Sequence, residues 1–573
     1  MSDFSILALD GGGSRGIMEA VILEDLMNTV TMLKNSPEPL LNVIKNERAS
    51  LFQKLETREA FAKLIDTDSV ENPVHVTEVF DMISGTSTGA LIGFSLVGGK
   101  EDPETGKRAP MSLKEIIDFY HELTPKIFQA FEGVDKYKNG LAKAVLGTQI
   151  DPFDNTSLLN FLEKYFGQST LQDFDDKCIA LATARRMEHN SEFLYDAMNS
   201  FDTKSHTSIK VTDVLMATTN VPIYFKTPWY IRGIPYVDGG LGANCSFSVA
   251  IPRMQELTDG QLQFGLSVGP SRTTQKVEPN GLKFWQTYFP RRSLDGYHPF
   301  IEAKAQHPPG HFMRLWPKSE HFKDFNTDDL RLTEMQEGVE QEKLQDPRYL
   351  QDIVVSALVI VTRLPNKDLK TLFDIAKVVM DFNMKSKNAE YAMCVARAFA
   401  KLPCDDETAE LKNEALYYVA LSYYGMNNFA QADKEFKKVK YGADSDAKFW
   451  ILKGKIDYQK GDFTDAEEAL VQAKSIEESW EINLYLSKVL AATGKLDEAL
   501  KLADNALLIE DQSVTCHKIQ MMIDNGQIDE AIEILAKCNF GDHFHSKADV
   551  ASLDGQCLFL KGEVKESLQR HNR

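Results

Sequence analysis

A chain of 573 residues is too long for one ordinary core, and at roughly 150 residues per domain it should hold several. Its 43% hydrophobic and 26% charged residues suit a globular protein, while a net charge of −20 argues against nucleic acid as a partner and weakens simple electrostatic docking on anionic lipid. Seven scattered cysteines with no CxxC pair exclude a disulfide framework, the first residues carry no basic leader, and no apolar run reaches the ~20 residues of a membrane span. A reducing cytosol with no transmembrane segment is the expectation, with leaderless secretion into another cell left open.

In chain order, residues 4–9 predict a short buried strand, and Ile17, Val21, Ile22, Leu26, Val30 and Leu33 give the 16–34 segment the apolar spacing of a helix. Between them lies "LDGGGSRG", where three glycines bare the backbone for close approach to a negative charge. Residues 36–76 predict a loop and then an exposed helix. "VFDMISGTSTGALIGFSL" repeats the strand, tight turn and helix arrangement, and "CIALATA", "EFLYDA", "QFGLSVG" and "HFMRLWP" add strand runs separated by helical patterns. Such alternation predicts an α/β layer fold with a mostly parallel sheet. "IVVSALVIV" at 353–361 predicts a buried helix.

Beyond about residue 350 the strand signals stop, which divides the chain into 1–350 and an all-helical 351–573. "NNFAQA", "GDFTDA", "GKLDEA", "GQIDEA" and "GEVKES" begin at 427, 461, 494, 526 and 562, spacings of 34, 33, 32 and 36. Ala432, Ala466, Ala499 and Ala531 recur as the small residue that lets two helices approach, and Trp450 and Gly454 stand upstream of Gly461. The pattern resembles the tetratricopeptide repeat, although the closing proline is missing throughout, and it implies a surface for a protein partner or for intramolecular regulation. Tyr417 and Leu421 stand where repeats that clamp a C-terminal carboxylate carry polar residues, so chaperone-tail binding is not expected.

The chemistry starts at "GTSTG", in which Gly85 and Gly89 flank Ser87 in the GxSxG spacing of a nucleophile elbow. A serine needs a base. His298, His307, His311 and His321 follow in the order an α/β-hydrolase would use, and Asp238 in "YVDGGLGAN" is the rival, a residue that taken alone reads more readily as an Asp-Gly turn. Gly11, Gly13 and Gly16 also fit the dinucleotide-binding GxGxxG, but no acidic strand end follows about 20 residues on, and no GK[ST] supports a Walker loop. Cys538, His543 and His545 lack a fourth ligand at regular spacing, so neither a metal nor another cofactor is expected. The aromatic and basic stretch 282–300, with Trp285 and Phe289, reads as core plus loop or as an interfacial patch.

Taken together and in this order, "LDGGGSRG", "FDMISGTSTGALIG", "ATTNVPIYF" and "YVDGGLGAN" resemble the signature blocks of the patatin-like phospholipases. The resemblance implies a three-layer α/β/α domain and a serine–aspartate dyad without histidine, Ser87 attacking the ester carbonyl and Asp238 acting as general base. Gly11, Gly12 and Gly13 would then supply N–H donors to the oxyanion, with Arg15 holding that loop and Gly85, Gly89, Gly239 and Gly240 shaping the turns. The implied substrate is a phospholipid or lysophospholipid met at a membrane surface by a peripheral enzyme. Thr218, Thr219 and Asn220 stand where the family has smaller residues, which bears on the acyl pocket. A general esterase or triacylglycerol lipase, and a catalytically silent interaction module built on the repeats, are the competing readings.

Overall fold

The computed structural model describes residues 3–557 apart from several segments, the longest being 129–154, 200–207, 271–296 and 538–551. The 282–289 stretch, Cys538, His543, His545 and the turn at Gly562 therefore lie outside the described residues. By packing, the chain divides into two compact units, Met1–Leu411 and Lys412–Arg573.

The first unit is built on one eight-stranded sheet. Its strands are β1 (Phe4–Leu9), β2 (Met82–Thr86), β5 (Ile179–Met187), β6 (Phe193–Asn199), β7 (Trp229–Ile231), β8 (Ile234–Asp238), β9 (Leu262–Val268) and β10 (Phe312–Leu315), while β3 (Lys100–Glu101) and β4 (Arg108–Ala109) form a separate small hairpin. The order β10-β9-β1-β2-β5 is parallel throughout. β6 and β8 both run antiparallel to β5, and β7 pairs antiparallel with β8 at the outside. The four strand runs read from the sequence are all strands; the hairpin β7–β8 is the part that pattern missed.

Period-two alternation puts Phe4, Ile6 and Ala8 of β1 into a core shared with Met82, Leu181, Phe247, Ile251 and Phe312. The helices Phe247–Thr258 and Tyr297–Ala305 cover that face. On the other face lie α1 (Gly16–Asn35), α4 (Thr88–Gly98) and α5 (Leu113–Phe128), while α2 (Glu38–Ile44) and α3 (Leu55–Leu64) pack on each other and on the helices Leu369–Lys385 and Leu332–Gln345. α1 is buried almost along its length because the helices Leu332–Gln345 and Pro347–Val361 pack against it. Asp25 of α1 pairs with Lys343 Nζ at 2.5 Å and accepts from Tyr349 Oη at 2.7 Å. The helices Pro347–Val361, Leu369–Lys385 and Ala389–Ala400 pack within the first unit, and Arg363 pairs with Asp81 and Lys304 with Glu390, each at 2.7 Å, so that unit runs to Leu411 and does not end at residue 350. The apolar run 353–361 is a buried helix, as its composition predicts, and it belongs to the packing of the first unit.

In the second unit, helices Ala447–Lys460 with Phe463–Ile476, Trp480–Ala492 with Leu496–Ala506, and Gln512–Asp524 with Ile528–Lys537 form successive antiparallel pairs. Gly461, Gly494 and Gly526 turn each corner at φ 83°, 82° and 78°, the left-handed region that favours glycine. Ala432, Ala466, Ala499 and Ala531 are fully buried, and a Cβ on Gly454 would lie 2.5 Å from Leu470 Cγ, so the small residues hold the helices close. Among the described residues no helix is long and apolar enough to cross a membrane.

Candidate active site

Sheet register brings the two candidate residues together. β6 occupies residues 181–187 of β5 along one edge; β2 occupies 179–183 along the other, and β8 continues on that same edge at 184–186. Thr86 stands opposite Thr183 and Asp238 opposite Ala184. β2 and β8 therefore run toward each other and end at adjacent positions of one strand. Ser87 follows the last residue of β2, and Asp238 is the last residue of β8.

The turn at Ser87 is strained, with φ 55° and ψ −124° in a non-glycine residue. It is held by what surrounds it. The Ser87 N–H donates to Thr218 Oγ1 at 2.9 Å, Thr218 Oγ1 donates to the Thr183 carbonyl at 2.6 Å, and Thr86 Oγ1 donates to the Ala243 carbonyl at 2.8 Å. Gly85 and Gly89 have no room for a side chain: a Cβ on Gly85 would lie 2.3 Å from the Gly89 carbonyl carbon, and one on Gly89 would lie 2.4 Å from the Leu9 carbonyl oxygen. The elbow thus rests directly on the end of β1.

Asp238 is buried. Its Oδ1 accepts from the Gly240 N–H at 2.6 Å. The Ser87 side chain lies beside the carboxylate and favours its charged form, while Oδ2 has no partner in standard hydrogen-bond geometry. Burial dominates over both hydrogen bonds and pushes the Asp238 pKa up to about 7. A Cβ on Gly239 would strike the Thr183 carbonyl oxygen at 2.4 Å, and one on Gly240 would crowd Asp238 Oδ1 at 2.9 Å, so this Asp-Gly-Gly turn needs both glycines.

The glycine loop arrives from the end of β1. Asp10 is buried and pairs with Arg314 Nη2 of β10 at 2.5 Å, which ties the start of the loop across the sheet. Arg15 Nε donates to the Gly12 carbonyl at 3.4 Å. Two of the three expected oxyanion donors are engaged by side chains: the Gly11 N–H donates to Asn244 Oδ1 and the Gly12 N–H to Thr88 Oγ1, each at 3.0 Å. Asn244 also donates to the Gly11 carbonyl at 3.2 Å, holding both backbone groups of that one residue. Gly13 follows at φ 60°.

Thr218, expected from the sequence to bear on the acyl pocket, accepts from the Ser87 N–H, and Asn244 and Thr88 carry no role that the sequence alone assigns. Their side chains join elements more than seventy residues apart, which no local pattern reveals. Tyr120 of α5 belongs with them: its hydroxyl donates to the Thr88 carbonyl at 3.3 Å and leaves no room for a Cβ on Gly16. Of the rival histidines, His307 Nδ1 donates to the Ala303 carbonyl, and His311 donates through Nδ1 to the Leu262 carbonyl while Nε2 accepts from Arg397. His311 sits just before β10, at the end of the parallel sheet opposite Ser87.

Residues 74–251 match the family model described as patatin-like phospholipase, a span that contains Ser87 and Asp238 but not the glycine loop. This chain carries a patatin-like phospholipase domain. Curated relatives agree: it is 25% identical over 334 residues to patatin-like protein 2 of Arabidopsis thaliana, covering 53% of this chain and 68% of that one. It is 27% identical over 256 residues to patatin-like protein 1 of the same plant (43% and 50% covered), and 24% identical over 245 residues to patatin-2-Kuras 4 of Solanum tuberosum (41% and 50%). The chain thus spans about two thirds of the first relative and half of the other two. The patatin-like domain and these relatives indicate lipid acyl hydrolase, that is esterase, chemistry.

Proposed function

We propose that the protein hydrolyses fatty-acyl esters of phospholipids or lysophospholipids through a Ser87–Asp238 dyad. The supporting observation is the meeting of two strand ends, which sets a strained serine beside a buried carboxylate whose pKa lies near 7. At that pKa the carboxylate is half ionised at neutral pH and is a far better base than an ordinary aspartate. In acylation Asp238 takes the Ser87 Oγ proton as Oγ bonds to the ester carbonyl carbon. The same proton passes to the leaving alcohol as the C–O bond breaks; water, deprotonated by Asp238, then bonds to the acyl carbon, and the bond to Ser87 Oγ breaks as that proton returns to Oγ, releasing the fatty acid.

The Gly11–Gly13 loop would stabilise the tetrahedral oxyanion. Thr88 Oγ1 and Asn244 Oδ1 act as neutral placeholders for the Gly12 and Gly11 N–H groups. An N–H bonded to an oxyanion is roughly twice as strong as one bonded to a neutral oxygen, so exchange toward the reacting oxygen is favoured in the transition state and not before it. The helical unit would bind a protein partner or regulate the first unit, and the enzyme would act peripherally at a membrane surface from a reducing, cytoplasmic compartment.

Ester panels run on the full chain and on Ser87→Ala test the reading. Phospholipid or lysophospholipid hydrolysis that disappears in Ser87→Ala is the expected outcome. Preference for triacylglycerol or short soluble esters would move the substrate class, and no hydrolysis of any ester would leave the interaction-module reading.

A further inference from the structure

The β7–β8 hairpin stands directly over the proposed dyad. Counting back from Asp238 opposite Ala184, Tyr236 lies opposite Arg186, so β8 climbs away from the end of β2 beyond the carboxyl ends of the parallel strands. Ile234 is four residues from Asp238, which at about 3.3 Å per residue puts the tip roughly 13 Å above the catalytic level. The turn itself is stiff: Ile231 pairs with Ile234, and Arg232 and Gly233 between them take φ 51° and 82°, the two-residue turn whose twist matches that of its strands. Trp229 Nε1 donates to Asp213 at 3.2 Å and anchors the hairpin to the helix Val211–Thr219.

What this rigid tip exposes is apolar and basic. Tyr230 is 59% exposed and Ile234 37%, with Arg232 exposed between them and its Nη2 donating to Ser208 Oγ. Although the chain carries 84 acidic residues, none falls within 229–235. Two apolar side chains offer far less area than the roughly 1,000 Å² a specific protein interface buries. Insertion into a bilayer has no such threshold, because it scales with the area inserted, and tyrosine and arginine both suit the headgroup boundary.

We propose that the hairpin tip seats the mouth of the site on a phospholipid surface, Tyr230 and Ile234 entering the headgroup boundary and Arg232 pairing with anionic headgroups. The proposal rests on the lipid-hydrolase reading above and names the surface that reading requires.

Full-length protein carrying Ser87→Ala, so that the vesicles stay intact, is sedimented with phosphatidylcholine vesicles with and without phosphatidylserine. Adding Tyr230→Ser with Ile234→Ser should lower partitioning at least about tenfold on both vesicles, since burying even one such side chain is worth more than a factor of ten. Arg232→Glu should abolish only the increment due to phosphatidylserine. Thermal melts identify a misfolded variant, in which case Tyr230→Ser alone takes its place. Variants that partition like the parent, or a parent that ignores both vesicles, overturn the proposal. Because binding is read without turnover, failure of the hydrolase reading is separately visible as absence of ester cleavage by the wild-type chain.

Discussion

Asp238→Asn is expected to lower ester turnover about 10³-fold or more while leaving the protein folded and, at neutral pH, more stable than wild type. The activity loss follows from removing the only proposed proton acceptor for Ser87, since a positioned general base contributes about 10² to 10⁴. The stability gain follows from linkage. Burial raises the carboxyl pKa from the usual carboxylate range to about 7 in the folded state, so between about pH 4 and pH 7 the folded protein binds more protons at this site than the unfolded chain. Stability therefore falls as pH rises through that window, and above pH 7 the folded state bears the full cost of a buried charge. An amide keeps the acceptor for the Gly240 N–H without that charge. Melting curves of both proteins at acidic and neutral pH check this: the variant's advantage should be present at pH 8 and vanish near pH 4. A variant that melts below wild type at every pH would mean that Asp238 is held by favourable interactions and is no poised base.

The second large effect is steric. Gly89→Ala should cost more than about 3 kcal/mol of stability, or abolish soluble expression, and reduce turnover at least a hundredfold in whatever folds. The added Cβ would lie 2.4 Å from the Leu9 carbonyl oxygen and 2.5 Å from that of Asp10, both backbone atoms at the end of a central strand. Relief requires the elbow and the glycine loop to separate, and their approach is what the proposed chemistry uses. Gly93→Ala, one turn further along α4, is the control. Its Cβ would meet Ile83 Cγ2 at 3.2 Å, a side-chain atom that can shift, and alanine gains helix propensity of up to about 1 kcal/mol. Denaturant unfolding should show Gly93→Ala within about 1 kcal/mol of wild type. Equal losses in the two variants would mean that the whole helix, not the elbow, resists added volume.

Much of this was legible in the sequence because it is local. A GxSxG turn between an apolar run and an apolar helix specifies a strand, an elbow and a helix, and alanines recurring near every 33 residues specify paired helices. The antiparallel return of β8 was not legible. "IPYVD" has a mixed pattern and carries a proline, and its place depends on pairing with β5, Asp238 opposite Ala184 54 residues earlier, on the edge that β2 also uses. The same holds for Asn244 and Thr88 occupying the N–H groups of Gly11 and Gly12, which in the sequence look like free donors. The packing of residues 351–411 with the first unit was not legible either, since it uses pairs such as Arg363 with Asp81 and Lys304 with Glu390 that carry no periodic signal. Local pattern ends where long-range pairing takes over.

The most direct test is the pH dependence of Ser87 phosphonylation by a fluorophosphonate in the full-length wild-type chain, located by peptide mass spectrometry. The account predicts a single modified serine, Ser87, whose labelling rate rises with pH along one titration centred near 7 and loses that titration in Asp238→Asn. Labelling of a different serine, or a Ser87 rate that follows the same curve in both proteins, would contradict it.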